Sequence, residues 1–225
     1  MWTTGLNFSM DNNKLTSLSQ ESFINGDKQW EVGRSLYDFY IRDWAGVDPA
    51  TGYGMWYKDI LGADGLPTGE RETTQSFAQA TRYYADKSSI PDVVGGLTNF
   101  FKYKNLDLNI LLNFSYGSYI YDSTYAGLMS GFETPGRSAH QDLKDRWQQP
   151  GDITDVPLFL TANNDFNSQS TRFLFKNDYV RLKALNLGYN FSEDALAKTS
   201  LSRLRLYLQA DNLLTWQSHK GIDPE

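Results

Sequence analysis

Two runs of the chain, Leu106 to Gly117 (LDLNILLNFSYG) and Arg203 to Trp216 (RLRLYLQADNLLTW), alternate between bulky apolar and polar residues. Successive side chains of a strand leave opposite faces. In the first run Leu106, Leu108, Ile110, Leu112, Phe114 and Tyr116 share one face, and Asp107, Asn109, Asn113, Ser115 and Gly117 share the other. Only Leu111 breaks the alternation. In the second run Leu204, Leu206 and Leu208 oppose Arg205, Gln209 and Asp211. A half-buried strand of a soluble sandwich alternates too, but its usual length is about 5–6 residues. A tilted strand crossing a bilayer needs ~9–11, so length favours a membrane barrel.

The rest of the chain predicts further strands separated by short and long connections, an asymmetry typical of outer-membrane barrels. Trp2 to Met10 alternates, and Asp11-Asn12-Asn13-Lys14 reads as a turn. A polar stretch runs to Gly33, Leu36 to Ala45 forms a strand, residues 46–52 reverse it through Pro49 and Gly52, and Tyr53 to Lys58 returns. Residues 59–94 read as a long polar loop with a short helical piece at Glu72 to Tyr84. Gly95 to Tyr103 then descends, Lys104-Asn105 turns, and Leu106 to about Ile120 climbs back. A second long loop spans 121–176; loops of that length inside a domain are uncommon and usually functional. Asp178 to Phe191 follows, with Leu185, Leu187, Tyr189 and Phe191 opposite Asn186, Gly188 and Asn190, and Arg203 to Trp216 is the last strand. The expected fold class is all-β: an antiparallel up-and-down transmembrane β-barrel segment of about seven strands with long extracellular loops. Asn-Phe-Ser recurs at 7–9, 113–115 and 190–192, each time with Phe on the apolar face.

Composition narrows the function classes. The 225 residues carry a formal charge of −6, with acidic residues outnumbering scattered basic ones, which excludes the basic stripe a nucleic-acid partner requires. A low mean hydropathy suits a barrel, whose strands turn only every second residue toward lipid. No run approaches the ~18 uninterrupted apolar residues of a spanning helix. No cysteine is present, which removes disulfides and thiolate metal sites. Met1 is not followed by a basic-then-apolar leader, so for an exported protein the start of the gene product is expected upstream.

Several separated motifs bear a family resemblance. Tyr179-Val180-Arg181-Leu182-Lys183-Ala184-Leu185-Asn186-Leu187-Gly188-Tyr189, Asp211-Asn212-Leu213-Leu214-Thr215-Trp216 and Gly221-Ile222-Asp223-Pro224-Glu225 resemble the C-terminal end of the SusC/RagA family, TonB-dependent outer-membrane receptors of Bacteroidetes. Residues 45–52 (AGVDPATG), 91–99 with Tyr103-Lys104, and 146–157 (RWQQPGDITDVP) fit the same family in the same order. The resemblance covers the chain from about residue 30 to its end. It implies a plugged, 22-stranded barrel, of which residues 1–225 would be the C-terminal part, with the plug domain, the TonB-contacting segment and the final closing strand outside this chain. It further implies localisation in the cell outer membrane and active import of oligosaccharides or peptides. A SusD-like surface lipoprotein would cap the external loops, and the TonB–ExbB–ExbD complex would supply energy through the N-terminal region.

On that barrel the expected lipid-facing residues are Leu106, Leu108, Ile110, Leu112, Phe114, Leu185, Leu187, Leu204, Leu206 and Leu208. The expected lumen-facing residues are Asp107, Asn109, Asn113, Ser115, Asn186, Asn190, Arg205 and Gln209. Short turns at 46–52 and 104–105 would be periplasmic, and the loops 59–94 and 121–176 extracellular. Aromatic residues gather at strand ends and in loops: Tyr116, Tyr119, Tyr121, Tyr125, Phe132, Trp147, Phe159 and Trp216. Those near strand ends suit an interfacial girdle. Tyr121, Tyr125 and Trp147 are the loop candidates for ligand or lipoprotein contact, with Trp147 also suited to anchoring its loop. Asp152 and Asp155 are hard-oxygen candidates for calcium, although carboxylates so placed more often form Asx turns. His140 and His219 have no histidine or cysteine at ligand spacing, no carboxylate pair is privileged for glycosidase chemistry, and Gly52-x-Gly54 lacks the rest of a nucleotide fingerprint. No catalytic, cofactor or metal residue is assigned, and no enzyme activity is expected. The alternative is a soluble extracellular β-sandwich that binds glycans through aromatic-rich loops, burying the apolar faces of its strands against each other.

Overall fold

The computed structural model describes residues 1–130, 136, 138–160 and 165–225; Phe132 lies outside them. In chain order the strands are β1 (Trp2–Ser9), β2 (Ser22–Asn25), β3 (Lys28–Glu31), β4 (Asp38–Arg42), β5 (Trp44–Val47), β6 (Gly54–Leu61) and β7 (Pro67–Thr74). They continue with β8 (Arg82–Ser88), β9 (Val93–Tyr103), β10 (Leu106–Tyr116), β11 (Tyr119–Tyr121), β12 (Leu174–Lys176), β13 (Tyr179–Asn190) and β14 (Arg205–Gln217). Two short helices, α1 (Ser123–Leu128) and α2 (Glu193–Leu196), complete the regular structure with a few 3₁₀ turns. No described helix is long and apolar enough to cross a membrane.

The chain divides into two compact units. The first, residues 1–12, 90–119 and 176–225, is one antiparallel sheet in the order β1-β9-β10-β13-β14, and it does not close. Lys104, at φ 50°, makes the two-residue turn between β9 and β10. Register fixes the faces. Leu108 pairs with Phe101 and Leu187, Leu187 with Leu208, Tyr189 with Leu106 and Leu206, and Leu97 with Leu6 and Leu112. All of these share one face. Asn109 pairs with Asn186, which pairs with Gln209, on the other.

A bulge keeps the apolar face continuous along β13. Val180 and Leu182 are apolar at even positions and Leu185, Leu187 and Tyr189 at odd ones, so a regular strand would split them between faces. Leu111 pairs with Ala184 while Leu112 pairs with Leu182, leaving Lys183 as the extra residue and resetting the alternation. The exception at Leu111 is thereby placed on the polar face, between Thr98 and Ala184.

The apolar face has no covering layer in its own unit. Leu6, Phe8, Leu206, Leu208 and Trp216 are each more than half exposed, and the only large apolar side chain described as buried in this unit is Leu196 of α2. Burying each such side chain is worth about 1.5–3 kcal/mol, so about five of them match the whole margin of a folded domain, ~5–15 kcal/mol. A β-sandwich would set a second sheet about 10 Å away against this face; the unit contains none. The single apolar-out layer, with strands of 11, 11, 12 and 13 residues at β9, β10, β13 and β14, is the wall of a membrane barrel.

The second unit, residues 13–89 and 120–175, is built from two long excursions of the chain. It departs from several expectations. Leu36 to Ala45 is not one barrel strand: it divides into β4 and β5, which join different sheets, β2-β3-β4-β8 and β5-β6-β7. Tyr53 to Lys58 falls in β6 of the latter. Five strands, not seven, therefore make the apolar-faced sheet, and the reversal at 46–52 is a hairpin turn of the second unit rather than a periplasmic turn. The polar stretch before Gly33 holds a hairpin turned by Gly26 at φ 64°. The expected helix at Glu72 to Tyr84 is replaced by β7, a 3₁₀ turn at Phe77–Gln79 and β8, because the Thr and Tyr residues there pair with β6 and β4. Trp56, fully buried, centres one core cluster with Ala80 and Phe166; Phe173 centres another with Ala126 and Met129.

Candidate substrate-contacting surfaces and the comparisons

On the polar face of the sheet, all eight expected lumen-facing residues lie together by register: Asp107 opposite Gly188, Asn113 opposite Arg181, Ser115 opposite Tyr179 and Asn190 opposite Arg205, besides the Asn109-Asn186-Gln209 row. Arg205 of β14 reaches across β13 to Asp107 of β10 at 2.7 Å, and Asn190 donates to the same carboxylate at 3.2 Å. The glycine at 188 leaves the space for this crossing, since a Cβ there would lie 2.5 Å from the Arg205 guanidinium. On the apolar face nine of the ten expected lipid-facing residues lie in strands. Leu204 precedes β14, its carbonyl accepting from the Phe191 N–H at 3.0 Å.

The segment after β14 turns back onto the sheet. Arg181 Nη1 and Lys183 Nζ donate to Glu225 at 2.8 and 2.7 Å, Arg181 Nη2 also engages Asp223, and Asn177 donates to the Pro224 carbonyl at 3.2 Å. The Arg181 hydrogen bond holds the Asp223 carboxyl below its usual range, and the Lys183 hydrogen bond does the same for Glu225. Sequence reasoning gave no role to Arg181, Lys183, Asp223 or Glu225 beyond their place in two motifs. The structure joins those motifs.

A second motif pair meets in the other unit. Asp48 accepts from Ala50 N–H at 2.9 Å and from the Thr51 hydroxyl at 2.7 Å, which shapes the turn and lowers the carboxyl's pKa, the Thr51 bond contributing most. The turn brings Gly52, at φ 75°, under the indole of Trp147. Trp147 Nε1 donates to the Pro49 carbonyl at 3.0 Å, Gly151 N–H to the same carbonyl at 2.8 Å, and Leu158 N–H to the Gly52 carbonyl at 2.9 Å. Asp152 accepts from the N–H groups of Gln148 and Gln149 at 2.9 and 3.0 Å, so its carboxylate closes the loop's own turn. Trp147 is the anchor between the two excursions.

Beside this anchor, a cavity of about 460 Å³ opens among Asp43, Trp44, Lys87, Met129 and Val156 and the consecutive residues Thr171, Arg172 and Phe173. Tyr125 lines it too; its hydroxyl donates to Asp142 at 2.7 Å, and that bond and burial raise its pKa, burial foremost. Tyr121 packs edge-on against Phe173 at 6.4 Å. Of the three loop candidates, the structure thus sets Tyr125 in a cavity wall and Tyr121 and Trp147 in packing roles. Arg172, given no role by sequence reasoning, has its guanidinium carbon 5.0 Å from the Trp44 ring and 4.9 Å from the Phe173 ring. Its only sequence signal is an arginine beside phenylalanine in Thr171-Arg172-Phe173.

The same architecture occurs in proteins of known kind. Over its whole length the chain is 30% identical to TonB-dependent receptor P3 of Formosa agariphila, spanning 23% of that protein, and 22% identical to TonB-dependent receptor SusC of Bacteroides thetaiotaomicron, spanning 22% of it. A chain in the structure of the RagAB peptide transporter superposes with a TM-score of 0.76 at 28% identity, covering 99% of this chain and 24% of that one. The RagAB peptide importer in its open-open state gives 0.71 at 26% identity. No family model matches. The chain spans about a quarter of the length of the relatives it matches. Sequence and fold together place this chain, along its whole length, with the TonB-dependent receptors of the SusC/RagA family.

Proposed function

We propose that the chain forms the C-terminal part of the barrel wall and the outer loops of a TonB-dependent receptor that imports a nutrient oligomer, an oligosaccharide or a peptide, across the outer membrane. The observation that carries this is the five-stranded sheet with one uncovered apolar face and one polar, hydrogen-bonded face. Hydrocarbon covers Leu106, Leu108, Ile110, Leu112, Phe114, Leu185, Leu187, Leu206 and Leu208. Water and cargo meet Asp107, Asn109, Asn113, Asn186 and Gln209, because a barrel strand presents its alternate residues to these two solvents. The wall is a passive sleeve. Both long excursions leave the sheet at the end opposite the Lys104-Asn105 turn, and long loops face outward in such barrels. Residues 13–89 and 120–175 are then the outer surface that meets cargo and a SusD-like lipoprotein, while the TonB complex acts through an N-terminal region. The relatives' names, TonB-dependent receptor and peptide transporter, support transport rather than catalysis.

The test uses the full-length receptor in lipid bilayers. Spin labels at Ile110 and Leu187 are expected to be accessible to oxygen and shielded from a water-soluble nickel chelate, with the reverse at Asn109 and Asn186. Uniform aqueous accessibility at all four positions defeats the membrane-wall reading. Loss of TonB-dependent uptake on deleting the receptor gene checks the import step.

A further inference from the structure

Among the described residues, the outer-loop unit holds a cation with only part of its donors partnered. Arg172 sits in a 3₁₀ turn, Thr171–Phe173, with its guanidinium between the faces of Trp44 and Phe173. One of its N–H groups donates to the Phe166 carbonyl at 2.8 Å, and among the described residues no carboxylate lies within ion-pair distance of it. Burial lowers its pKa to about 10, which still leaves it charged at neutral pH. A guanidinium carries five N–H donors, and a buried cation is costly unless paired. Arg172 lines the cavity, and the bond to Phe166 is the one hydrogen bond it makes among the described residues. The aromatic rings compensate only in part, since cation–π contacts are worth about 0.5–2 kcal/mol.

The other groups around the cavity define what completes it. Asp43 is already occupied, accepting from the Thr171 hydroxyl at 2.9 Å and from Arg71 at 3.4 Å. Asp155 lies on the wall and acts on Arg172 electrostatically without bonding to it. Lys87 adds a second cation, and Met129, Val156 and Phe175 supply apolar surface. A ligand matched to this wall has a carboxylate for Arg172, hydrocarbon for the rings and aliphatic side chains, and an ammonium for Asp155. A neutral sugar has neither charge, and an acidic sugar leaves Asp155 and the aliphatic wall unmatched.

Resting on the importer reading, we propose that this cavity is a recognition subsite for the free C-terminal carboxylate of a short peptide. Arg172 grips the carboxylate as a bidentate fork, and the terminal apolar side chain lies against Trp44, Phe173 and Phe175. Asp155 takes an ammonium of the same ligand.

The test is calorimetric binding to the full-length receptor with its lipoprotein partner. The probes are the tripeptide Ala-Leu-Phe, its C-terminal amide, a neutral oligosaccharide and the same oligosaccharide ending in a uronate. The free acid is expected to bind at least about tenfold more tightly than the amide, Arg172→Gln to erase that difference, and Arg172→Lys to restore part of it. Asp155→Asn is expected to weaken the free acid while leaving its preference over the amide. Equal binding of acid and amide overturns the proposal, as does a preference that survives Arg172→Gln in a receptor whose outer loops keep their wild-type protease pattern. Binding of the uronate oligosaccharide alone overturns the assignment to peptide. Uptake measured in cells separates this from the importer reading: a receptor that moves the neutral oligosaccharide but shows no carboxylate preference removes the subsite and leaves import intact. A receptor that moves no oligomer in energised cells defeats import whatever Arg172 does.

Discussion

Gly52→Ala tests whether the two outer excursions are held together where the structure places their joint. Gly52 has φ 75°, a conformation that costs an L-residue about 1–2 kcal/mol. A Cβ there would lie 2.4 Å from two ring carbons of Trp147, closer than any relaxed contact, and the space belongs to a rigid indole rather than to the tip of a flexible chain. The ring must withdraw. Withdrawal breaks the Trp147 Nε1 bond to the Pro49 carbonyl, worth about 1 kcal/mol, and forfeits part of the packing that makes removal of a buried aromatic cost ~3–5 kcal/mol. The sum is about 3 kcal/mol, or roughly a hundredfold rise in the opened population of the loop. Trypsin reads this directly, because Lys144 and Arg146 lie just before the anchor and cleavage of a rapidly opening segment follows its open population. In outer membranes bearing the full-length receptor, cleavage after these residues is expected to accelerate by about two orders of magnitude while the barrel keeps its heat-modifiable mobility on gels. A cleavage rate equal to that of the unmodified receptor refutes the docking of the two excursions through Gly52 and Trp147.

The remaining predictions concern the sheet and its returning segment. Ile110→Arg sets a cation on the apolar face and is expected to cost ~2–4 kcal/mol near the bilayer midplane, read as lost outer-membrane assembly, whereas Asn109→Arg, one residue away on the polar face, is expected to assemble normally. Deleting Lys183 removes the bulge and turns Val180 and Leu182 to the polar face; assembly is expected to fail as it does for Ile110→Arg, and normal assembly would refute the parity argument. Arg181→Met is expected to release residues 218–225, seen as faster amide exchange there with the sheet unchanged. In the unmodified receptor the same release is expected on acidification: Asp223 and Glu225 have carboxyl pKa values lowered by their cationic partners. Their contribution is therefore complete above the ordinary carboxylate range near about 4 and is lost as pH falls through the lower values of the folded state. Tail protection that instead fell as pH rose from 5 to about 8 would contradict the ion pairing.

The sheet was legible in the sequence and the outer unit was not, for physical reasons visible in particular residues. In β10 and β14 a period of two is imposed by neighbours on a single pleated surface, so the pattern is written locally. The bulge in β13 was not read from the alternation of Leu185, Leu187 and Tyr189 alone; it emerges from the register, although the switch from Val180 and Leu182 to those residues is a parity change, which in a one-faced strand requires an extra residue. The outer unit follows no local period. Its core draws Trp44 and Trp56 from one excursion and Phe166 from the other, about a hundred residues away, and burial on that pattern leaves no alternation to read. Leu36 to Ala45 illustrates the failure. Its alternation is real, but β4 and β5 part at Asp43, whose carboxylate accepts from Thr171 in the distant segment.

Tertiary pairing also explains why motifs that are weak one at a time are informative together. The turn at 45–52 supplies a glycine with no Cβ and an exposed Pro49 carbonyl; residues 146–157 supply the indole that fills the one and hydrogen-bonds the other. Neither half has a reason for its residue types without its partner. The same holds for Arg181 and Lys183 in β13 against Asp223 and Glu225 some forty residues later, where two cations on one strand meet two carboxylates of a returning segment. Each motif is half of a contact, and a half-contact constrains only a few residue types. Two halves in fixed order constrain a fold, since the backbone must bring them to within about 3 Å of each other. The Arg172 cavity differs in kind. Its rings and its neighbouring carbonyl account for part of the guanidinium's needs, and among the described residues no second motif supplies the rest, so the missing half is sought in a ligand.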